Sequence, residues 1–379
     1  MHRYPARTLA AAIVLLAACS SPEQIPLAPS SGESALRANA ATAYLVTFRD
    51  DVTDVRGVAN EMSRRGGFSL DHVREHAARG FTAVIPPGQV DNVRNDPRVK
   101  IFEPDGVVTL DLPREQPGAN AKPGGGGGGQ QISYGLTRVG GSADGSGKTA
   151  WIIDTGIDLD HPDLNTTRNC HRSFVRTTSP DDGNGHGTHV AGTVAAKNNS
   201  VGTLGVAANA FVCAVRVLDN SGSGQWSWII NGINYVAANG TSGEVANMSL
   251  GGSGSNATLE QAVLDASQRV KFVLAAGNNG VHASGFTPAR VNGANIYTIS
   301  AVGSNDCLAS FSNYGNPPVD YAAPGVGILS TWKGGGTRSI SGTSMAAPHV
   351  TGILLLGSVR GNGTACNDKD STPDPIASR

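Results

Sequence analysis

The chain has 379 residues and a formal net charge of −1, with 29 Lys and Arg against 30 Asp and Glu. That balance leaves no basic surplus for a nucleic-acid partner, and a hydrophobic share of 39% suffices for a sizeable core. The length has room for roughly two domains plus tails, and 50 glycines point to a fold with many tight turns.

The N-terminus reads as a targeting segment. His2, Arg3 and Arg7 precede an apolar run from Leu9 to Ala18 that is too short to span a bilayer as a helix. Leu16-Ala17-Ala18-Cys19 resembles the lipobox of bacterial lipoproteins, which implies a signal peptide over 1–18, cleavage before Cys19 and a lipid on its thiol. An ordinary signal peptide that happens to hold a cysteine is the alternative; on either reading the chain leaves the cytoplasm. Residues 19–42, rich in Ser, Pro and Ala, form a flexible tether. Four further cysteines, Cys170, Cys213, Cys307 and Cys366, suit two disulfides in an exported chain. Three pairings are open to four cysteines, and sequential pairing, Cys170 with Cys213 and Cys307 with Cys366, is a guess among them.

Residues 43–112 change character. Ala43–Phe48 is a strand, Val52–Arg65 has helical spacing, an extended region centres on Gly80–Pro86, Val90–Arg94 is a short helix and Val99–Pro104 a strand. The order β-α-β-β-α-β predicts a small α+β, ferredoxin-like domain. His72 and His76, four apart, fit one helical face and lack a third metal ligand, so a solvated role is expected. Residues 113–131 are Pro, Gly and Gln around the run Gly124–Gly129 and read as a linker open to proteolysis.

From residue 132 to 379 strands and helices alternate. Thr149–Asp154, Phe211–Leu218, Val245–Leu250, Val270–Ala276 and Ile296–Val302 are strands; Gly187–Ala196, Trp226–Ala238 and Leu259–Arg269 are helices. This predicts an α/β fold, a mainly parallel sheet with helices on both faces, whose ligands bind beyond the carboxyl ends of the strands. Asp154, Asn247–Gly252 and Gly277-Asn278 all fall at such ends.

The run Ser341–Val350 continues through Leu356 as a buried helix with Ser344 at its N-terminal end, where unpaired N–H groups stabilise negative charge. A lone serine there is usually a cap. Asp154 at the end of a buried strand needs a cationic partner, and His186, between glycines at a helix start, would serve. Asp to orient, His to take a proton and Ser to attack is triad logic; the Asn278 amide can donate to an oxyanion.

Asp154-Thr155-Gly156, His186-Gly187-Thr188-His189 and Gly342-Thr343-Ser344-Met345-Ala346, in that order, together with Ala275–Gly280, resemble the motifs of subtilases, most closely the proteinase K-like branch. The likeness covers about residues 132–360, and residues 43–110 resemble the family's inhibitory propeptide. The resemblance implies a subtilisin-like serine endopeptidase with Ser344 as nucleophile, His186 as base and acid, Asp154 orienting it, and Asn278 with the Ser344 N–H as oxyanion hole. It implies backbone clamps on an extended peptide at Gly222, Ser223 and Gly224 and at Ser249, Leu250 and Gly251, polypeptide substrates with an apolar or aromatic P1, and autoprocessing between about Val108 and Gln131. It also makes residues 43–112 the chain's own inhibitor and folding aid, in a monomer that is secreted or held at the cell envelope.

The chemistry requires no cofactor. Asp158, Asp160 and Asp163 offer oxygen ligands for a structural calcium ion, a solvated acidic loop being the preferred reading. His189 and His349 read as structural. Gly361–Arg379 is polar without helical period where the family continues with another helix, so either Cys366 staples this tail or the last packing layer is thin.

Overall fold

The computed structural model describes Met1, residues 42–110 and residues 129–379. The expected signal segment, Cys19, the tether up to residue 41 and the linker up to residue 128 lie outside the described residues. Everything described from Thr42 onward belongs to one compact unit.

Strands β1 (Thr42–Phe48), β2 (Leu70–Arg74), β3 (Gly80–Ile85) and β4 (Val99–Pro104) form a four-stranded sheet in the order β2-β3-β1-β4. Every neighbouring pair is antiparallel. Helix α1 (Val55–Gly66) begins where the Asp54 carboxylate accepts the Gly57 N–H (2.8 Å) and ends at Gly67, in the left-handed region at φ 64°. Its buried residues Val55, Ala59 and Met62 recur at helical spacing and pack with Phe48 and Phe81 of the sheet. Helix α2 (Val90–Arg94) completes the split βαβ order.

One local expectation fails here. His72 lies in strand β2, not on a helix, and its ring meets Phe174 edge-on at 6.4 Å. The cause is Arg74, which is wholly buried. Its guanidinium donates to Val46 O, Phe81 O, Ala78 O and Thr82 Oγ1, and burial lowers its pKa to about 10. Those acceptors belong to β1, β3 and the turn before β3, so the segment is drawn into the sheet.

Strand β5 (Val107–Thr109) leaves this sheet, and the larger layer follows. Its strands are β6 (Thr149–Asp154), β7 (Phe211–Arg216), β9 (Val245–Met248), β10 (Lys271–Ala275), β11 (Ile296–Val302), β12 (Val319–Pro324), β13 (Arg360–Thr364) and β14 (Pro375–Ser378); β8 (Ser223–Gln225) stands apart and pairs with β5. With Arg172–Ser173 at one edge, the nine-stranded order is β13-β14-β12-β11-β10-β9-β6-β7-(172–173). All pairs are parallel except β13 with β14.

Every residue of β6 is buried, because both faces of the sheet are covered. Ala150 and Ile152 face helices α3 (His186–Ala195) and α6 (Thr343–Leu356). Trp151 and Ile153 face α4 (Trp226–Asn239) and α5 (Ala257–Ala266) on the other side. This is the mainly parallel α/β layer with helices on both faces that the sequence predicts.

The C-terminal tail supplies strands instead of a further helix. β14 extends the sheet beside β12 through Ala322 and Ile376, and Ile376 and Ala377 are buried. The disulfides join Cys170 to Cys213 and Cys307 to Cys366, the sequential pairing, so Cys366 does staple the tail.

Candidate active site

Asp154 is the last residue of β6 and is fully buried. Its Oδ1 accepts the Thr155 N–H (2.7 Å) and the His186 Nδ1–H (2.8 Å). That bond fixes the imidazole tautomer with the proton on Nδ1 and leaves Nε2 as an acceptor. Burial lowers the His186 pKa, but the charge and hydrogen bond of Asp154, with Asp182 further off, outweigh it, and the net shift is upward. His186 opens α3 directly after Gly185, at φ 115°, where a Cβ would stand 2.5 Å from the Trp332 ring.

A residue that the motif reading passes over holds this turn. Asp182 Oδ1 accepts from Asn184 N, Gly185 N and Thr155 Oγ1, and its Oδ2 from Thr188 N and Oγ1. The side chain of Thr155 in turn receives the Gly187 N–H (2.9 Å). The signal was there: an Asp shortly before a helix start, followed by Gly-Asn-Gly, is an Asx-type cap.

Ser344 is the second residue of α6 and is buried. Its hydroxyl donates to Ser249 O (3.2 Å), and the Ser249 hydroxyl donates back to Ser344 O (2.9 Å). Asn247 donates to Ser249 Oγ (2.8 Å) and accepts from Thr351 Oγ1 (2.9 Å), so the end of β9 is tied to α6 at Ser344 and again two turns on at Thr351. Helices α3 and α6, which carry His186 and Ser344, pack against each other.

Asn278 follows β10. Its Oδ1 accepts Thr343 N (2.9 Å) and Thr343 Oγ1 (3.0 Å), which turns the amide NH₂ to the opposite side. Gly277, at φ 104°, has no room for a Cβ beside Asn313. Asn313 braces the turn, accepting from Asn279 N and Val281 N (3.1 Å each) and donating to Ala276 O (2.9 Å). Its partners lie more than thirty positions away, so no local pattern marks it.

Ser344, Asn278, Ser249, Leu250 and Gly251 line a cleft of about 300 Å³ together with Val107–Leu110. Strand β5 is seated in it by antiparallel pairing with β8: Thr109 opposite Ser223, Val108 opposite Gly224, Val107 opposite Gln225. The Leu110 N–H adds a bond to Gly222 O (2.9 Å). Val108 and Leu110 are buried and pack in one cluster with Leu218 and Leu250. A Cβ on Gly224 would collide with Val217 O, which explains the glycine at that point of close approach.

Four side chains fasten the 42–110 unit over the cleft. Asp105 caps α4: Oδ1 accepts Ser227 N (3.0 Å) and Oδ2 accepts Ser227 Oγ (2.6 Å). Glu103 caps α5, accepting Thr258 N (2.7 Å) and Ala257 N (3.2 Å). In the reverse direction, Asn234 accepts His76 N and Ala77 N, and Asp265 accepts Ala78 N.

The remaining polar candidates are committed elsewhere. His189 Nε2 donates to Ile328 O and Arg338 O, and burial lowers its pKa to about 3. His349 donates to Met345 O, and burial lowers its pKa to about 4. Asp158 accepts the Gly334 and Gly335 N–H groups and Asp160 is exposed. Asp163 is not solvated; it is buried, takes Thr203 N and Asn199 Nδ2, and burial raises its pKa to about 6. The three carboxylates are therefore not gathered around one point.

The profile described as the subtilase family matches residues 145–361. The chain belongs to the subtilase family. Proteinase R of Parengyodontium album is 36% identical over 91% of this chain and 85% of its own length. The cuticle-degrading protease of Metarhizium anisopliae is 38% identical over 90% of this chain and 85% of its own. Alkaline serine exoprotease A of Vibrio alginolyticus is 40% identical over 78% of this chain, which spans 55% of that protein. Among solved structures, a cold-adapted subtilisin-like serine proteinase superposes with TM-score 0.51 at 45% identity, covering 56% of this chain and 76% of the other. The fold described above is thus subtilisin-like. Among the described residues, no helix of this subtilase is long and apolar enough to cross a membrane.

Proposed function

We propose that this subtilase is an exported serine endopeptidase, made as a zymogen that cleaves itself. The observation that carries the reading is the seating of Val107–Leu110 as a strand on β8, in the cleft that Ser344 and Asn278 line. A peptide held that way is straightened and presented by its main chain, and the chain continues from Leu110 into the segment where the cut is expected.

In the proposed reaction Ser344 Oγ turns from Ser249 O towards His186 Nε2, gives up its proton there and bonds to the scissile carbonyl carbon. Asp154 holds His186 Nδ1–H and stabilises the imidazolium. The oxyanion accepts from Asn278 Nδ2–H and the Ser344 N–H at the start of α6. His186 then returns the proton to the leaving amine, the C–N bond breaks, and a water activated by the same imidazole hydrolyses the acyl-enzyme. The 42–110 unit blocks the cleft until this first cut. The apolar or aromatic P1 preference and the lipid anchor on Cys19 belong to this proposal; because the anchor lies upstream of the cut, processing frees the enzyme from it.

The test is an intact-mass time course of the precursor lacking residues 1–19, beside its Ser344→Ala variant. Wild type is expected to split within residues 111–131 while the variant stays whole. If both stay whole under folding conditions, the proposal falls and a peptide-binding role takes its place. If both split alike, the cut is not made by Ser344, and self-cleavage by this residue is refuted.

A further inference from the structure

Strand β8 closes a loop whose sequence does not hold a shape unaided. Residues 219–224 read Asp-Asn-Ser-Gly-Ser-Gly, and glycines so placed give a backbone that samples many conformations. Gly222 sits in the left-handed region at φ 80°. One side chain fixes the loop. Asp219 Oδ1 accepts Ser221 N (2.9 Å), Ser221 Oγ (2.6 Å) and Ser223 N (3.0 Å). The main chain closes around it: Asp219 N donates to Ser223 O (2.8 Å) and Gly222 N to Asp219 O (3.0 Å). Partial burial pushes the Asp219 carboxyl up, but the hydrogen bonds from Ser221 and Ser223, with the charge of Arg216, outweigh it, and the net shift is downward.

The segment held in this way is the one that meets the seated strand. Ser221 and Ser223 turn their N–H groups to Asp219, and the Gly222 carbonyl between them accepts Leu110 N (2.9 Å). Ser223 stands opposite Thr109, with the two hydroxyls 3.0 Å apart. The other side of the loop has its own anchor. Arg216 Nη2 donates to Asn220 Oδ1 (2.6 Å), Asn220 O accepts Asn184 Nδ2 (3.0 Å), and Asn184 Oδ1 accepts His186 N (3.2 Å). None of these bonds uses the Asp219 carboxylate, so the turn that carries His186 does not depend on it.

We propose that Asp219 is a positioning residue for the substrate: it holds residues 221–223 in the shape that receives an extended peptide. The conformational entropy of the loop is then lost on folding and not when a peptide arrives, which favours binding. The inference rests on the protease reading above and deepens it. Affinity for long peptides depends on a carboxylate whose bonds lie within its own loop, while the chemical step at Ser344 and His186 does not. A substrate too short to reach Gly222 gains nothing from Asp219.

The test has two arms. The first uses the full chain carrying Ser344→Ala and reads amide hydrogen exchange along residues 107–110. Asp219→Ala is expected to speed it about tenfold, the scale set by losing bonds to a charged acceptor, while exchange along β6 keeps the parent's rate. Asp219→Asn keeps an acceptor oxygen without the charge and is expected at about threefold; it carries the reading should Asp219→Ala not fold. The second arm uses the matured enzyme and two esters of the same apolar amino acid, one alone and one extended by three residues on its N-terminal side. For Asp219→Ala, KM of the extended ester should rise about tenfold with kcat within about twofold, and the single-residue ester should keep both. The proposal is overturned if exchange along residues 107–110 of the folded variant matches the parent's. It is also overturned if β6 loosens to the same degree, which makes Asp219 a general stabiliser, or if the short and long esters lose equally. The exchange arm needs no activity, so it decides the role of Asp219 even where the proposed activity fails.

Discussion

Asp105 offers the sharpest test of how the 42–110 unit is held. Replacing it by Ala removes the acceptor of Ser227 N and Ser227 Oγ at the N-terminus of α4. A helix cap contributes about 0.5–2 kcal/mol, and hydrogen bonds to a charged acceptor about 1.5–3 kcal/mol. The two figures describe the same bonds and do not add. Asp105 is half-buried, so water reaches part of the exposed N–H and offsets some of the loss; about 2 kcal/mol remains, a weakening of roughly 30-fold. Asp105 lies beyond β4, outside the core of the four-stranded sheet, but its charge also faces the buried Arg74 guanidinium, so the variant unit's own stability is measured beside its docking. The assay is the inhibition constant of residues 43–110 added to the matured enzyme, with circular dichroism to show that the variant unit is folded. Asp105→Asn, which keeps one acceptor oxygen but no charge, is expected between wild type and Ala. Asp91→Ala, on an exposed pair with Arg94, is expected to leave inhibition unchanged. An Ala variant at Asp105 that inhibits within threefold of wild type would refute the reasoning, because the cap would then contribute nothing to docking.

Other outcomes follow from the same geometry. Asn278→Ala should lower kcat by about 10²–10³ with KM nearly constant, as expected for a donor used only in the transition state; a change confined to KM would assign Asn278 to ground-state binding. Because Asp154 raises the His186 pKa and the base must be neutral, kcat/KM should be lost as pH falls through a value above 6.5, the ordinary imidazole value; an acid limb below 6.5 contradicts this. Changing Cys307 and Cys366 together to Ser opens a loop of 59 residues, with an expected loss of about 4 kcal/mol on the chain-entropy account. Denaturant unfolding under oxidising conditions measures it, and an unchanged midpoint would show that the tail is held without the staple.

What the sequence disclosed follows from the range of each interaction. β6 and β10 are continuous apolar runs bounded by turns, so burial on both faces is written locally. Asp154, His186, Asn278 and Ser344 were recognisable because glycines and small residues flank each at a strand end or helix start. β2 was not, because its residues enter the sheet through Arg74, whose acceptors lie on other strands. The tail was legible only in part: the absence of helical period and the Cys366 staple were foreseen, but a polar segment becomes β13 and β14 only when that disulfide and the open edge of β12 fix its register. Asn313 stayed hidden because it does its positioning through partners that only the fold brings near, whereas Asp182 was marked by the Gly-Asn-Gly that follows it and by partners at most six positions on. Asp163 looked solvated, yet the 199–203 loop covers it.

The pairing of β5 with β8 has a consequence for what such a cleft can attack. Four residues, Val107–Leu110, lie extended, about 13 Å of chain at strand rise, and their main-chain groups must be free to meet those of Gly222–Gln225. A helix offers none, since its N–H and C=O groups are already paired with each other, and a sheet offers only an edge. A target protein must therefore locally melt before it fits, and the rate at which it is cut follows the population of that opened form, falling about tenfold for each 1.4 kcal/mol that the opening costs. Selection among targets then depends on their stability as much as on their sequence: loose loops and damaged chains are consumed while well-folded neighbours persist.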